Sequence, residues 1–367
     1  MRNSWIHIHE GQTARQARVG VADLNEEHYS RGGFFGPVSM LYHGRKPADP
    51  VRVEGPISVA VALLGAMTFD DENSPSGLPT EMLANDELSV ALSHRAVATP
   101  HLVRNVDADT LYFIHEGEGV VATEFGPIEY EPEDLILIPK GTTYRHMPST
   151  PTTAQVVESS APIGFTEHRQ IGRHSPIDFG VLGIPKITEY DWPDQDEWEL
   201  KLKHGTEVTS AFYAELPFDL VGWKGDLFPF KLNLRDIRPL TSERIHLAPS
   251  SWSILESASF MCVPFLPMSV VSDPEAEELP TRHRNVDADE VILIRRVNGN
   301  PVNALGHFPQ GMTHGPAATE REAYAAVYEP GMQRMLEGLS IDSYRRLHRT
   351  AAFEAALPTA TTRKDQA

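Results

Sequence analysis

The second half of the chain carries residues whose types and spacing could hold a metal ion. It reads His283-Arg-Asn285, four further residues, Glu290, and later Pro309-Gln-Gly311-Met-Thr-His314. Two imidazoles and one carboxylate form the donor set that suits Fe(II) and leaves coordination positions open for a substrate and dioxygen. Asp289, directly before Glu290, is a rival carboxylate. Arg296 follows on the same apolar run. Alternate residues of a strand share a face, so Glu290, Ile292, Ile294 and Arg296 would line one side, with Arg296 bringing a cation near the metal. The competing reading of Arg296 is a plain ion pair at the rim of the fold.

These residues need elements to position them, and the chain repeats part of the set. "HLVRNVDADT" (101–110) and "TRHRNVDADE" (281–290) share the core RNVDAD, and Arg104 and Arg284 lie 180 residues apart. That distance is too long for a solenoid period and points to two similar domains. In the first copy Val103 replaces His283 and Thr110 replaces Glu290. The turn Pro139-Lys-Gly141-Thr-Thr-Tyr144 ends on tyrosine where the second copy has His314. The turn residues survive in both halves and the ligands in only one. The first domain therefore reads as structural and the second as metal-bearing. The alignment of Thr110 with Glu290 favours Glu290 over Asp289, and Asp287 and Asp289 read as a solvated acidic turn.

The texture is mostly β: "LYFIHEG" (111–117), "DLILIPKG" (134–141), "SWSILES" (251–257) and "EVILIRR" (290–296) are short apolar runs between turn residues. The stretch 69–82 reads as a surface loop and 188–205 as an acidic connector with a possible helical turn. The spacing of Ile341, Tyr344, Leu347, Phe353 and Leu357 predicts a C-terminal helix from Ser340. Two β domains bearing these motifs resemble the cupin family of jelly-roll barrels, whose motifs are His-x-His-x(3,4)-Glu and Pro-x-Gly-x-x-His, with Asn285 here in place of the second histidine. The expected organisation is an N-terminal cupin domain with an extension over 1–165, a connector over 166–240, a metal-binding cupin domain over 241–357 and a disordered tail over 358–367.

The net charge of −19 argues against a nucleic-acid partner, and an anionic substrate would need a local cation to hold it. The single cysteine, Cys262, allows no disulfide within the chain and suits a reducing cytoplasm. No signal peptide is expected from the first residues, and the longest apolar run, "ISVAVALLGAM" (57–67), is too short to span a bilayer.

Several further stretches resemble the homogentisate 1,2-dioxygenase family: "EGQTARQA" (10–17), "GFFGPVSMLYH" (33–43), "TEFG" (123–126), "PFDLVGWKGDLFPFKLNL" (217–234), "HLAPSSWSIL" (246–255), "HRN" (283–285) and "HGP" (314–316). The resemblance runs from about residue 5 to about residue 330, in one order. It implies an Fe(II)-dependent enzyme that opens a para-dihydroxylated ring with both atoms of dioxygen. Homogentisate would give maleylacetoacetate in tyrosine and phenylalanine breakdown. His283, Glu290 and His314 match the iron ligands, and His246 the active-site acid/base, a task suited to a near-neutral pKa. The resemblance also implies a homo-oligomer, trimer or hexamer. Four residues separate Asn285 from Glu290, where the family usually has three. The family's histidine six residues before the last ligand falls on Phe308, with His307 beside it as a candidate substrate-binding residue. Its carboxylate-binding tyrosine has no match in "RRVNGNP", which leaves Arg296 as the candidate. Lys224 stands where the family has the histidine of Gly-Trp-His. The departures surround the substrate rather than the metal, so gentisate or a substituted hydroquinone is the alternative substrate. A non-catalytic metal-binding bicupin is the alternative of another class.

Overall fold

The computed structural model describes residues 8–358 apart from 14–23, 33–34, 46, 48–49, 73, 169–175, 189–191, 193–194, 238–239, 241–251, 267, 270–281, 298–299, 316–331 and 334–335. The fold is all-β, with two barrels. In the first, a seven-stranded sheet runs in the order Phe230–Asn233, Asp134–Ile138, Asp109–Glu116, Thr152–Ser159, Leu88–Arg95, Thr80–Ala84, His348–Arg349. It packs on a six-stranded sheet in the order Glu207–Tyr213, Trp198–His204, Leu102–Asn105, Thr143–Pro148, Gly119–Thr123, Gly126–Tyr130. In the second, a seven-stranded sheet runs Gly164–Phe165, Leu255–Glu256, Phe260–Phe265, Leu336–Ser343, Asp289–Val297, Asn300–Phe308, Ala60–Leu63. A three-stranded sheet, Phe35–His43, Asn25–Gly32, Arg282–Asn285, accompanies it.

The two halves exchange strands. The N-terminal strand Asn25–Gly32 pairs in parallel with Arg282–Asn285 of the second barrel, and Ala60–Leu63 pairs with Asn300–Phe308 there. Reciprocally, Trp198–His204 pairs in parallel with Leu102–Asn105 of the first barrel, and Phe230–Asn233 with Asp134–Ile138. Each barrel thus takes a hairpin and a further strand from the segment preceding the other. The expected boundaries at 165 and 240 do not follow the sheets: 198–233 is built into the first barrel, and the N-terminal extension into the second. Unpaired backbone at an open sheet edge is unfavourable, and this exchange covers it.

The expected C-terminal helix is also revised. Residues 340–343 belong to the strand Leu336–Ser343, whose Leu339 and Ile341 alternate into the core opposite Leu293 and Val291. The helix is only Ala351–Ala355, opened by Thr350, whose hydroxyl accepts the Phe353 N–H. The possible helical turn before residue 205 is instead the strand Trp198–His204.

One apolar core lies between the two large sheets, with Leu111, Phe113, Leu135 and Val157 facing Val291, Leu293, Leu305 and Ile341. Burying such side chains is worth about 1.5–3 kcal/mol each and holds the barrels together. Arg295 crosses the seam to Glu133 at 2.7 Å. The first barrel's interior is filled by Tyr112, Ile114, Val121, Ile136, Tyr144 and Val156. No helix among the described residues is long and apolar enough to cross a membrane.

Candidate metal centre

The repeated hexapeptide is a corner that anchors other parts of the chain, and it does so the same way twice. Asn105 and Asn285 each accept the N–H of the turn glycine on their backbone oxygens, Gly141 and Gly311, both at 2.7 Å. Those glycines have φ of 87° and 79°, a left-handed conformation that glycine adopts without Cβ strain. Asp109 accepts from the backbone of Lys140 at 2.7 Å and Ile163 at 2.8 Å; Asp289 accepts from Gln310 at 2.8 Å and Leu347 at 2.7 Å. The first aspartate of each copy grips the exchanged hairpin: Asp107 accepts from Gly205 N at 2.6 Å, and Asp287 from Arg31 Nε at 2.7 Å. Asp289 is therefore no solvated turn residue. It is 0% exposed and engaged as a structural bolt.

The residues that differ between the copies face the barrel interiors. His283 pairs with His314 through two backbone hydrogen bonds of 2.8 and 2.9 Å, as Val103 pairs with Tyr144 in the first barrel. Glu290 enters from the neighbouring strand. The ligand atoms of His283, Glu290 and His314 all lie within 4.8 Å of one another, and all three residues are buried. His314 Nε2 is 2.8 Å from Glu290 Oε2, His283 Nε2 is 3.4 Å from it, and Asn285 Nδ2 donates to it at 3.4 Å. Phe308 stacks on His314 at 4.7 Å and closes one side. In the first barrel Tyr112 and Tyr144 share a 2.9 Å hydroxyl contact, and among the described residues no ligand set gathers there.

The electrostatics suit a cation. Burial alone would raise the Glu290 pKa, but hydrogen bonds and charge from His283 and His314 outweigh it and hold the carboxyl below its ordinary range. His314 Nδ1 lies 2.9 Å from the Met312 carbonyl, which can only accept, so Nδ1 carries the proton. Nε2, on the other side of the ring, is thereby aimed at the Glu290 carboxylate at 2.8 Å. A carbonyl-oriented imidazole is the usual support of a metal ligand, and a buried carboxylate between two imidazoles is a donor set that can hold a cation. The donor set fits a divalent metal. Across the ladder from Glu290 lies Asp342, whose pKa is raised well above the usual carboxylate range by burial and by Glu290's charge.

The other expected site residues fall elsewhere. Arg296 lies six residues beyond Glu290, roughly 20 Å along the strand at about 3.3 Å per residue, and an irregularity between Ile294 and Arg296 breaks the alternation that would have turned it inward. It pairs with Glu337 at 3.5 Å and is half exposed. That geometry matches the rim ion pair of the competing reading. His307 pairs with Val291, so it faces away from Glu290, and both ring nitrogens are engaged, by Arg349 Nε at 2.9 Å and Asp289 at 3.2 Å. In this arrangement it buttresses Asp289. His246 lies outside the described residues. The sequence reading missed His28. It sits on the N-terminal strand opposite His283, and no local motif announces it.

Fold and site define the class: an all-β, two-barrel protein with a buried His-Glu-His triad in the second barrel. Residues 83–234 match the family model described as "Homogentisate 1,2-dioxygenase N-terminal". A Saccharolobus solfataricus protein given a provisional dioxygenase name is 27% identical over 285 residues, 74% of this chain and 73% of that protein. The homogentisate 1,2-dioxygenases of Bradyrhizobium diazoefficiens and Nitrobacter hamburgensis are each 27% identical, over 52% and 64% of this chain. These matches span 41% and 54% of those enzymes' own lengths. Among solved structures, a cupin 2 conserved barrel domain protein from Leptotrichia buccalis is 8% identical with a TM-score of 0.33, covering 82% of this chain and 93% of that one. The chain is thus similar to the homogentisate 1,2-dioxygenases over 83–234 by the family model and at 27% identity by these relatives.

Proposed function

We propose that the protein is an Fe(II)-dependent dioxygenase that opens a para-dihydroxylated aromatic ring in the cytoplasm. The observation that carries this is the buried His283–Glu290–His314 triad in one barrel, with Val103, Thr110 and Tyr144 at the matching positions of the other. When bound there, iron supplies a Lewis acid with open positions at which ring and dioxygen can meet. His283, Glu290 and His314 hold it, and Phe308 excludes water from one side. His246, assigned by the family resemblance, takes the proton of the ring hydroxyl as the ring binds. Homogentisate is the substrate the relatives' names favour. The alternative, an uncharged hydroquinone, is favoured by a specific observation: the one cation expected to hold a ring carboxylate, Arg296, is spent on Glu337 at the rim.

The test is oxygen uptake by iron-loaded protein with homogentisate, gentisate and hydroquinone, with labelled dioxygen to follow both atoms into the product. Uptake with one of these rings and double incorporation is the expected result. Full iron occupancy without uptake on any ring would refute the reading in favour of a non-catalytic bicupin.

A further inference from the structure

The exchanged N-terminal strand does more than cover a sheet edge. It stands in register with the ligand strand, His28 against His283 and Ser30 against Asn285. Residues paired in adjacent strands project from the same face. The opposite face is fixed independently: Arg284 lies over the Tyr29 ring at 4.8 Å and reaches Glu27 at 3.6 Å. Glu27, Tyr29 and Arg284 therefore share one face of the strand pair, and His28, Ser30, His283 and Asn285 share the other, the metal side. His28 is 6% exposed. It is not part of the cluster that could hold the ion, which comprises His283, Glu290 and His314.

A second observation concerns Asn285. In the first barrel the Asn105 side-chain oxygen accepts the backbone N–H groups of Asp107 and Ala108, at 3.2 and 3.1 Å. The equivalent Asn285 oxygen is buried without a hydrogen-bond partner among the described residues. A buried acceptor left open costs stability unless something fills it. The position equivalent to His28 in the first barrel is Lys201, opposite Val103, and its amine reaches out to the Ser76 carbonyl at 3.4 Å. So the barrel with metal ligands has a buried imidazole and an open amide oxygen at this wall. The barrel without them has an outward lysine and a satisfied amide.

We propose that His28 and Asn285 form a polar wall beside the metal and bind the hydroxyl groups of the ring, making the N-terminal strand part of the second barrel's substrate site. A phenolic hydroxyl can donate to the Asn285 oxygen, and a ring oxygen can exchange a hydrogen bond with the imidazole. Both are positioning contacts in the chamber and leave the metal's own ligand set unchanged. This rests on the ring-substrate reading above.

The experiment uses the full chain, iron-loaded and anaerobic, and titrates hydroquinone by optical change while iron is measured separately. His28→Ala and Asn285→Ala should each keep iron and weaken hydroquinone binding about tenfold, the scale of one hydrogen bond. His28→Gln should recover part of that loss. Tyr29→Ala, on the opposite face of the same strand, should bind as the wild type does. Unchanged affinity in both alanine variants would overturn the proposal. So would equal weakening in Tyr29→Ala, which would mean general damage to the hairpin. Iron lost from His28→Ala and His28→Gln alike would make His28 a support of the metal instead. A wild-type protein that holds iron but binds none of hydroquinone, homogentisate and gentisate would refute the ring-substrate reading itself, and this inference with it.

Discussion

Replacing Asp289 by alanine separates the two roles that adjacent carboxylates play in this chain. Asp289 accepts from Gln310 N at 2.8 Å, Leu347 N at 2.7 Å and His307 Nε2 at 3.2 Å. Each buried donor left unsatisfied costs about 1–3 kcal/mol, so three of them together should cost about 3–6 kcal/mol after some relaxation. At about 2–4 °C per kcal/mol for a domain of 150–250 residues, the midpoint should fall on the order of 10 °C or more. Asp109→Ala strands two backbone donors, Lys140 N and Ile163 N, and should cost somewhat less. The assay is thermal unfolding of metal-free protein by circular dichroism, with iron content measured below the transition. Both variants should melt early, and both should still take up iron while folded. An Asp289→Ala protein with an unchanged midpoint and no iron would show that Asp289, not Glu290, is the ligand. A silent Asp109→Ala would refute the argument that the repeated hexapeptide does the same structural job twice.

Alanine at His283, Glu290 or His314 should abolish iron binding, while changes at Thr110 or Tyr144 should leave iron content intact; elemental analysis decides. His246→Ala should keep iron and lose about a hundredfold in oxygen uptake, the scale of one acid/base group. Arg296→Met should affect homogentisate and hydroquinone turnover equally and cost at most about 1 kcal/mol of stability, because it removes only a half-exposed ion pair; selective loss with homogentisate would restore Arg296 to the substrate site. Burial, with a smaller effect from Arg95, holds the His146 pKa down to about 3, against about 6.5 in the unfolded chain. Its folded pKa is depressed, so its share of stability is intact above pH about 6.5 and is lost as pH falls and the unfolded chain takes the proton first. By pH 5 that amounts to about 2 kcal/mol. Urea melts between pH 7 and 5 should show a shallower loss for His146→Gln, and equal slopes would refute the assignment.

The sequence by itself determined what is written locally. Short apolar runs between turn residues specify strands, since side-chain alternation and turn chemistry act over a few residues. His283, Glu290 and His314 sit within two short motifs, and each motif closes one corner of one barrel. The choice of Glu290 over Asp289 followed from comparing the two copies, and the structure adds the reason: Asp289 is held by backbone donors from two other segments. Tertiary structure alone decided the rest, because those outcomes depend on partners far along the chain. Arg296 pairs with Glu337 beyond a strand irregularity that composition does not mark. His307 lies on the face opposite Glu290, with its nitrogens on Asp289 and Arg349. The helical spacing after Ser340 gave way to a strand, since Leu339 and Ile341 gain more by filling the space between two sheets than by a short helix at the surface. The exchange that sets His28 beside His283, 255 residues away, could not be read locally, because backbone pairing in a parallel ladder carries almost no side-chain signature of its partner.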